Sequence, residues 1–203
     1  MPRSDQAPDF LTRPTAHLCV DMQRMFAEET PWRAPWMDRV RPVAERLVSL
    51  HPGRTVFTRF MPPERAEDAV GCWADYYRKW HQFTGEEAEP GIVDLVPELA
   101  RFVPPAAVFD KPGYSAFSTP DLLPFLRKRG VETLIVTGTE TDVCVLSSVM
   151  SAVDHGFRVV LAKDAMCSST DDTHDALIAL YAQRFGLQVA LTTSEAIEAN
   201  WRA

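Results

Sequence analysis

The stretch Thr133–Val153, TLIVTGTETDVCVLSSVMSAV, passes from a short β-branched apolar run through a polar turn into a longer run of small and apolar residues without proline. That order reads as strand, loop, helix, with Cys144 where the loop meets the helix. Five further runs have the same strand character: HLCV at 17–20, TVFT at 55–58, AAVF at 106–109, RVVLA at 158–162 and QVALT at 188–192. They are continuously apolar rather than alternating, as expected of strands covered on both faces of a parallel sheet. With helical patterns between them, the expected fold is α/β: a three-layer α/β/α sandwich around a six-stranded, mostly parallel sheet with right-handed crossovers.

Thr119, Pro120 and Asp121 read as cap, first helical position and a favourable acid, and Gly130 as the left-handed stop of that helix. Pro124 leaves its start loose, because proline removes an amide donor. Thr170, Asp171 and Asp172 open another helix, with Ala176, Leu177, Leu180 and Tyr181 on its sheet-facing side. All 16 prolines lie at or before Pro124, so the first part of the chain should be the more irregular. No linker or repeat interrupts the 203 residues, which suit a single domain, 1–203, with an irregular aromatic-rich segment at about 60–95.

A formal charge of −7 opposes attraction to phosphate backbones, so nucleic acid is not expected as a partner. No run approaches the roughly 18 apolar residues of a membrane span, and the N-terminal stretch MPRSDQAPDFLTRPTA lacks the apolar centre of a signal peptide. A cytoplasmic location without membrane attachment is the expectation. The four cysteines are too widely spaced for a C-x-x-C pair and are expected as free thiols.

Ligands of open parallel sheets bind beyond the carboxyl ends of the strands. The residues following the apolar runs are Asp21, Arg59, Asp110 with Lys111, the segment from Gly138 to Cys144, and Lys163 with Asp164. An acid, a lysine and a cysteine meeting there would supply a proton acceptor, a cation and a nucleophile. A helix start at Cys144 would lower its thiol pKa; the alternative is a small buried hydrophobe.

CVDMQRMF around Asp21, FDKPGYSAFSTPDL around Lys111 and LIVTGTETDVCVLSSVMSAVDHGFRVVLAKDAMCSS around Cys144 together resemble the signature blocks of the isochorismatase-like cysteine hydrolases, a superfamily that includes nicotinamidase and N-carbamoylsarcosine amidase. The resemblance runs from about His17 to Thr193. It implies a catalytic triad of Asp21, Lys111 and Cys144, a cis peptide joining Thr139 to Glu140, and an oxyanion hole from the amides of Glu140 and Cys144. It also implies hydrolysis of a C–N bond through a thioester, and a homo-oligomer, dimer or tetramer.

The nicotinamidase branch carries an Asp-x-His metal motif after the second strand. Here that stretch reads FTRFMPPERAED, and no histidine lies between His51 and His81, so neither metal nor cofactor is expected. Cleavage of a vinyl ether, or an idle ligand-binding protein on the same sheet, are the competing readings. A dinucleotide enzyme lacks its G-x-G-x-x-G fingerprint. Trp73, Tyr76, Tyr77 and Trp80 recur at helical spacing as a core or interface face, or as a lid over the pocket aided by Trp32 and Trp36. Trp32, Arg59, Trp73, Tyr77, Tyr114, Phe117 and Cys167 are the candidate pocket residues for a small-molecule substrate, with Arg59 or Arg78 able to receive a carboxylate. Cys19 is expected to be buried, Gln23, Tyr114 and Ser115 to organise the site, and Asp142 to fix the loop. His155 is too distant along its helix for a Cys-His pair. His174 is expected as an ordinary surface or helix-end residue.

Overall fold

The computed structural model describes residues 7–202; residues 1–6, the start of the stretch read for a signal peptide, and residue 203 lie outside the described residues. The strands are β1 (Thr15–Val20), β2 (Thr55–Phe60), β3 (Ala107–Lys111), β4 (Thr133–Thr139), β5 (Arg158–Cys167) and β6 (Val189–Thr192). They form one sheet in the order β3-β2-β1-β4-β5-β6. Every neighbouring pair is parallel, so the sheet is parallel throughout rather than mostly. The chain builds outward from β1 through β2 to β3, then crosses back to β4 beside β1. That reversal opens a crevice at the carboxyl ends of β1 and β4, where ligands of such sheets bind.

The helices are α1 (Ala7–Leu11), α2 (Arg24–Ala27), α3 (Met37–Leu50), α4 (Cys72–Lys79), α5 (Pro97–Ala100), α6 (Leu122–Lys128), α7 (Leu146–Asp154), α8 (Asp171–Arg184) and α9 (Ser194–Asn200). Alternate strand residues face opposite sides of a sheet. Leu18, Val20, Leu134, Val136 and Leu161 therefore meet α6, α7 and Tyr181 of α8. Cys19, Phe57, Ile135 and Val160 meet α3, α9 and Trp201 on the other face. None of the described helices is long and apolar enough to cross a membrane.

Three expectations shift. Helix α6 begins at Leu122, not after Thr119, which places Pro124 in the first turn, where an amide has no intrahelical acceptor to lose. In α8 only Tyr181 is fully buried, whereas Ala176 and Leu180 point outward. Strand β5 continues past Ala162 to Cys167 through a register shift against Val136 and Gly138. Lys163 and Asp164 thus lie within the strand rather than beyond it, and Asp164 caps α9 by accepting from the amide (2.8 Å) and hydroxyl (2.6 Å) of Ser194.

The sheet also buries an imidazole. His17 on β1 is fully buried, with Nε2 2.8 Å from Thr137 Oγ1, and burial lowers its pKa to about 3. The unfolded chain, with an ordinary value of roughly 6.5, binds this proton first on acidification, so stability falls as pH drops from that value toward 3. The expected contribution is a loss of about 2 kcal/mol between pH 7 and 5. Urea unfolding at the two pH values should show His17→Leu lacking that part of the loss; an unchanged pH slope would assign the sensitivity to other groups.

Candidate active site

Asp21 follows β1 directly, at φ 50, in the left-handed region that Asp tolerates better than most side chains. Its amide donates to the Thr58 carbonyl (3.2 Å), and its Oδ1 accepts from Thr58 Oγ1 (2.7 Å). Gln23 ties the same corner down: its side-chain amide donates to the carbonyls of Phe60 and Val93 and accepts from the Phe60 amide (2.7 Å). Lys111 closes β3, two strands away. Its Nζ stands 2.7 Å from Asp21 Oδ2, and both side chains are wholly buried. The same ammonium donates to the carbonyls of Gly113 (2.9 Å) and Tyr114 (2.8 Å), so it is held by two hydrogen bonds beside its ion pair with Asp21.

Cys144 arrives from the other side of the switch point. Beside it, β4 and β1 pack so closely that a Cβ on Gly138, at φ 112, would stand 2.0 Å from the Val20 carbonyl. Only glycine fits there. The peptide joining Thr139 to Glu140 is cis, and a π-helical turn, Thr141–Val145, leads into α7. Val143 and Val145 donate to the Glu140 carbonyl (3.1 and 3.0 Å). Among the described residues the Glu140 amide has no acceptor, and the Cys144 amide none outside its own turn. Thr139 and Thr141 hydroxyls donate to the Cys167 carbonyl (3.2 and 3.1 Å). Thr141 Oγ1 then accepts from Nδ1 of His174, 2.8 Å away, so this imidazole pins the turn rather than standing idle on the surface. Ser168 donates to Asp142, which holds the loop as expected. The Lys111 loop is bound to α7 through Ser115 Oγ to Ser151 Oγ (2.9 Å) and the Ala116 amide to Ser148 Oγ (2.8 Å).

The structure thus brings Asp21, Lys111 and Cys144 to one place, but the thiol differs from the expectation. Burial pushes its pKa well up, the Asp21 charge adds to this, and the Lys111 ammonium pulls against them; Asp21 raises it further as a hydrogen-bond acceptor. The helical segment starts at Thr141, so Cys144 is inside its first turn rather than in front of it, and desolvation outweighs the dipole.

A cavity of about 100 Å³ opens on Cys144, bordered by Trp32, Tyr114, Tyr76, Phe26, Phe60, Val143 and Glu140. Trp32 and Tyr114 are where the sequence placed them. Trp73 and Tyr77 are not: they form a wall behind, Trp73 against Tyr114 (4.7 Å) and Tyr77 stacked toward Phe60 (6.4 Å), because the phase of α4 turns Tyr76 to the cavity. Burial raises the Tyr76 hydroxyl above its ordinary range. Trp36 borders a different hollow. Phe117 packs on His155 (5.1 Å) and Phe157 (6.0 Å), thrown that way by the turn that Ser115 caps. Arg59 points to the opposite side of β2 from Phe60 and is gripped by both oxygens of Asp110 (2.7 and 2.9 Å) and by Asp94 (3.1 Å). Arg78 is spent on Asp75. Cys167 borders a hollow of about 440 Å³ behind the turn, and burial pushes its thiol up to about 12. Phe26, Phe60, Thr58 and the Glu140 side chain went unnoticed in the sequence; the strand-end position of Thr58 and Phe60 was the available signal.

The donor set after β2 does not fit a metal. Asp68 is taken by Arg65, and among the described residues no three His, Cys, Asp or Glu side chains are placed to share an ion.

The chain is 33% identical over 112 residues to an uncharacterized isochorismatase family protein of Bacillus subtilis, covering 54% of this chain and 61% of that one. It is 32% identical over 126 residues to a maleamate amidohydrolase of Pseudomonas putida, covering 58% and 53%. A probable inactive nicotinamidase of Arabidopsis thaliana matches at 28% over 173 residues, 82% and 87% of the two chains. The chain therefore spans little more than half the length of the first two. Among solved structures, a cysteine hydrolase from Pseudomonas syringae pv. phaseolicola superposes with a TM-score of 0.79 at 25% identity, over 93% of this chain and 92% of that one. A family model described as the isochorismatase domain matches residues 15–195, and the chain belongs to that family.

Proposed function

We propose that this protein is a cysteine hydrolase that cleaves a C–N bond of a small amide, carbamoyl compound or lactam through a thioester. The observation that carries the reading is a buried thiol that borders a cavity and has a buried ion pair behind it: Asp21 and Lys111 lie wholly buried 2.7 Å apart, and Cys144, 3% exposed, sits against Asp21. Asp21 takes the thiol proton as Sγ attacks the carbonyl carbon. The oxyanion forms against the amides of Glu140 and Cys144, and Lys111 offsets the negative charge. Collapse expels the amine with the proton held by Asp21 and leaves an acyl group on Sγ. Asp21 then removes a proton from water, which attacks the thioester to release the acid and restore the thiol.

The raised thiol makes proton transfer part of the attack, so Cys144 should react slowly with iodoacetamide and readily with substrate-like carbonyls. The test is ammonia release from a panel of small primary amides and ureido compounds, and appearance of a free amine from lactams, repeated with hydroxylamine. Ammonia, with part of the acyl product diverted to a hydroxamate, is the expected result. Vinyl-ether cleavage without amide turnover, or no turnover of any kind, would overturn the reading in favour of the ether hydrolase or the idle binder.

A further inference from the structure

The charge of the substrate is written in the cavity wall. Five rings and one carboxylate border the space in front of Cys144, and among the described residues no lysine or arginine does. Lys111 is fully buried behind Phe60, its ammonium 5.1 Å from that ring and shared among Asp21 and two carbonyls. Arg59 faces away into Asp110 and Asp94. Glu140 is anchored by Ser169 alone, Oε1 accepting from the Ser169 amide (3.1 Å) with the Ser169 hydroxyl close by, and no cationic side chain pairs with it among the described residues.

We infer that this cavity takes a small amide bearing a positively charged group, seated among the aromatic rings and the Glu140 carboxylate, and that Glu140 is the residue that selects it. Ring faces attract cations and a half-buried carboxylate pairs with them, whereas a carboxylate-bearing substrate would be stripped of water with no cation to meet it. Burial, with Asp142 and Asp21 nearby, raises the Glu140 carboxyl above its ordinary value, the mark of negative charge awaiting a partner. A volume of about 100 Å³, below the roughly 300 Å³ of common ligand pockets, restricts the occupant to a few heavy atoms.

The inference deepens the amidase reading and rests on it for the reacting group, so binding and turnover are measured separately. The probes are β-alaninamide, butanamide and succinamate, of similar size and carrying a positive, no and a negative charge. Binding to Cys144→Ala protein is followed by tryptophan fluorescence, since Trp32 borders the cavity. The expected affinity order is β-alaninamide, then butanamide, then succinamate. Glu140→Gln should lower the β-alaninamide affinity by about tenfold while leaving butanamide within about twofold. In protein that keeps Cys144, the same substitution should raise the ratio of KM for β-alaninamide to KM for butanamide by about tenfold, whereas a loosened turn would shift both substrates alike. Failure of β-alaninamide to bind, succinamate binding as well as butanamide, or a Glu140→Gln protein with unchanged charge preference overturns the inference. Charge-selective binding without wild-type turnover upholds the subsite and removes the amidase reading; turnover without charge preference does the reverse.

Discussion

Cys144→Ala is expected to lower kcat by on the order of 10⁴ or more on any substrate the screen identifies, with the fold intact. Cys144 is 3% exposed, so the substitution removes one buried sulfur, a destabilisation of roughly 1 kcal/mol, small against the 5–15 kcal/mol of a typical domain. A loss of 10⁴ in rate corresponds to about 5.5 kcal/mol of barrier. The two magnitudes are far enough apart to tell chemistry from damage. Cys144→Ser keeps the volume but should be nearly as inactive, because an alkoxide is much harder to form beside a carboxylate than a thiolate. The measurement is ammonia release paired with thermal unfolding. Ammonia release above a tenth of wild type in the alanine variant, with unchanged unfolding, would mean that the C–N bond breaks by direct attack of water, and the thioester step would fall.

The strands were legible because burial on both faces leaves an unbroken apolar run, and all six runs found in the sequence belong to the sheet. Their ends were less so. At β5 the continuation through Lys163 and Asp164 depends on a register shift against β4, which no run of apolar residues announces. Asp21, Lys111 and Cys144 could be picked out because each follows an apolar run within a motif. The cavity wall could not, because it is decided by phase: Arg59 and Phe60 are adjacent in sequence and face opposite sides of β2, and one step along α4 exchanges Tyr76 for Tyr77. The thiol's protonation was equally hidden, since the sequence shows a helix start near Cys144 but not the burial that dominates it.

Lys111→Met should be the most destabilising single change at the site. With the ammonium gone, the fully buried Asp21 carboxylate keeps the Thr58 hydroxyl on Oδ1 and the neighbouring Cys144 thiol, but loses the cation that stood against Oδ2. Breaking a buried pair from one side costs about 3–5 kcal/mol, because the surviving charge is left desolvated. The carbonyls of Gly113 and Tyr114 lose their donor in the same step, which loosens the loop that holds Tyr114 against the cavity. Asp21→Asn should cost less, since the ammonium keeps those two carbonyls and gains an amide oxygen. The double variant Asp21→Asn, Lys111→Met removes both charges, and its stability in urea should recover most of what Lys111→Met lost, because a neutral pair of similar volume has no desolvated ion to support. Its activity should not recover: the proton acceptor for Cys144 is gone. A Lys111→Met protein within about 1 kcal/mol of wild type would mean that Asp21 is not held as an ion by Lys111. Recovery of stability without recovery of turnover separates what the pair does for the fold from what it does for the thiol, and explains why so costly an arrangement sits under the cavity: a carboxylate dry enough to draw a proton from sulfur needs a cation to keep it there.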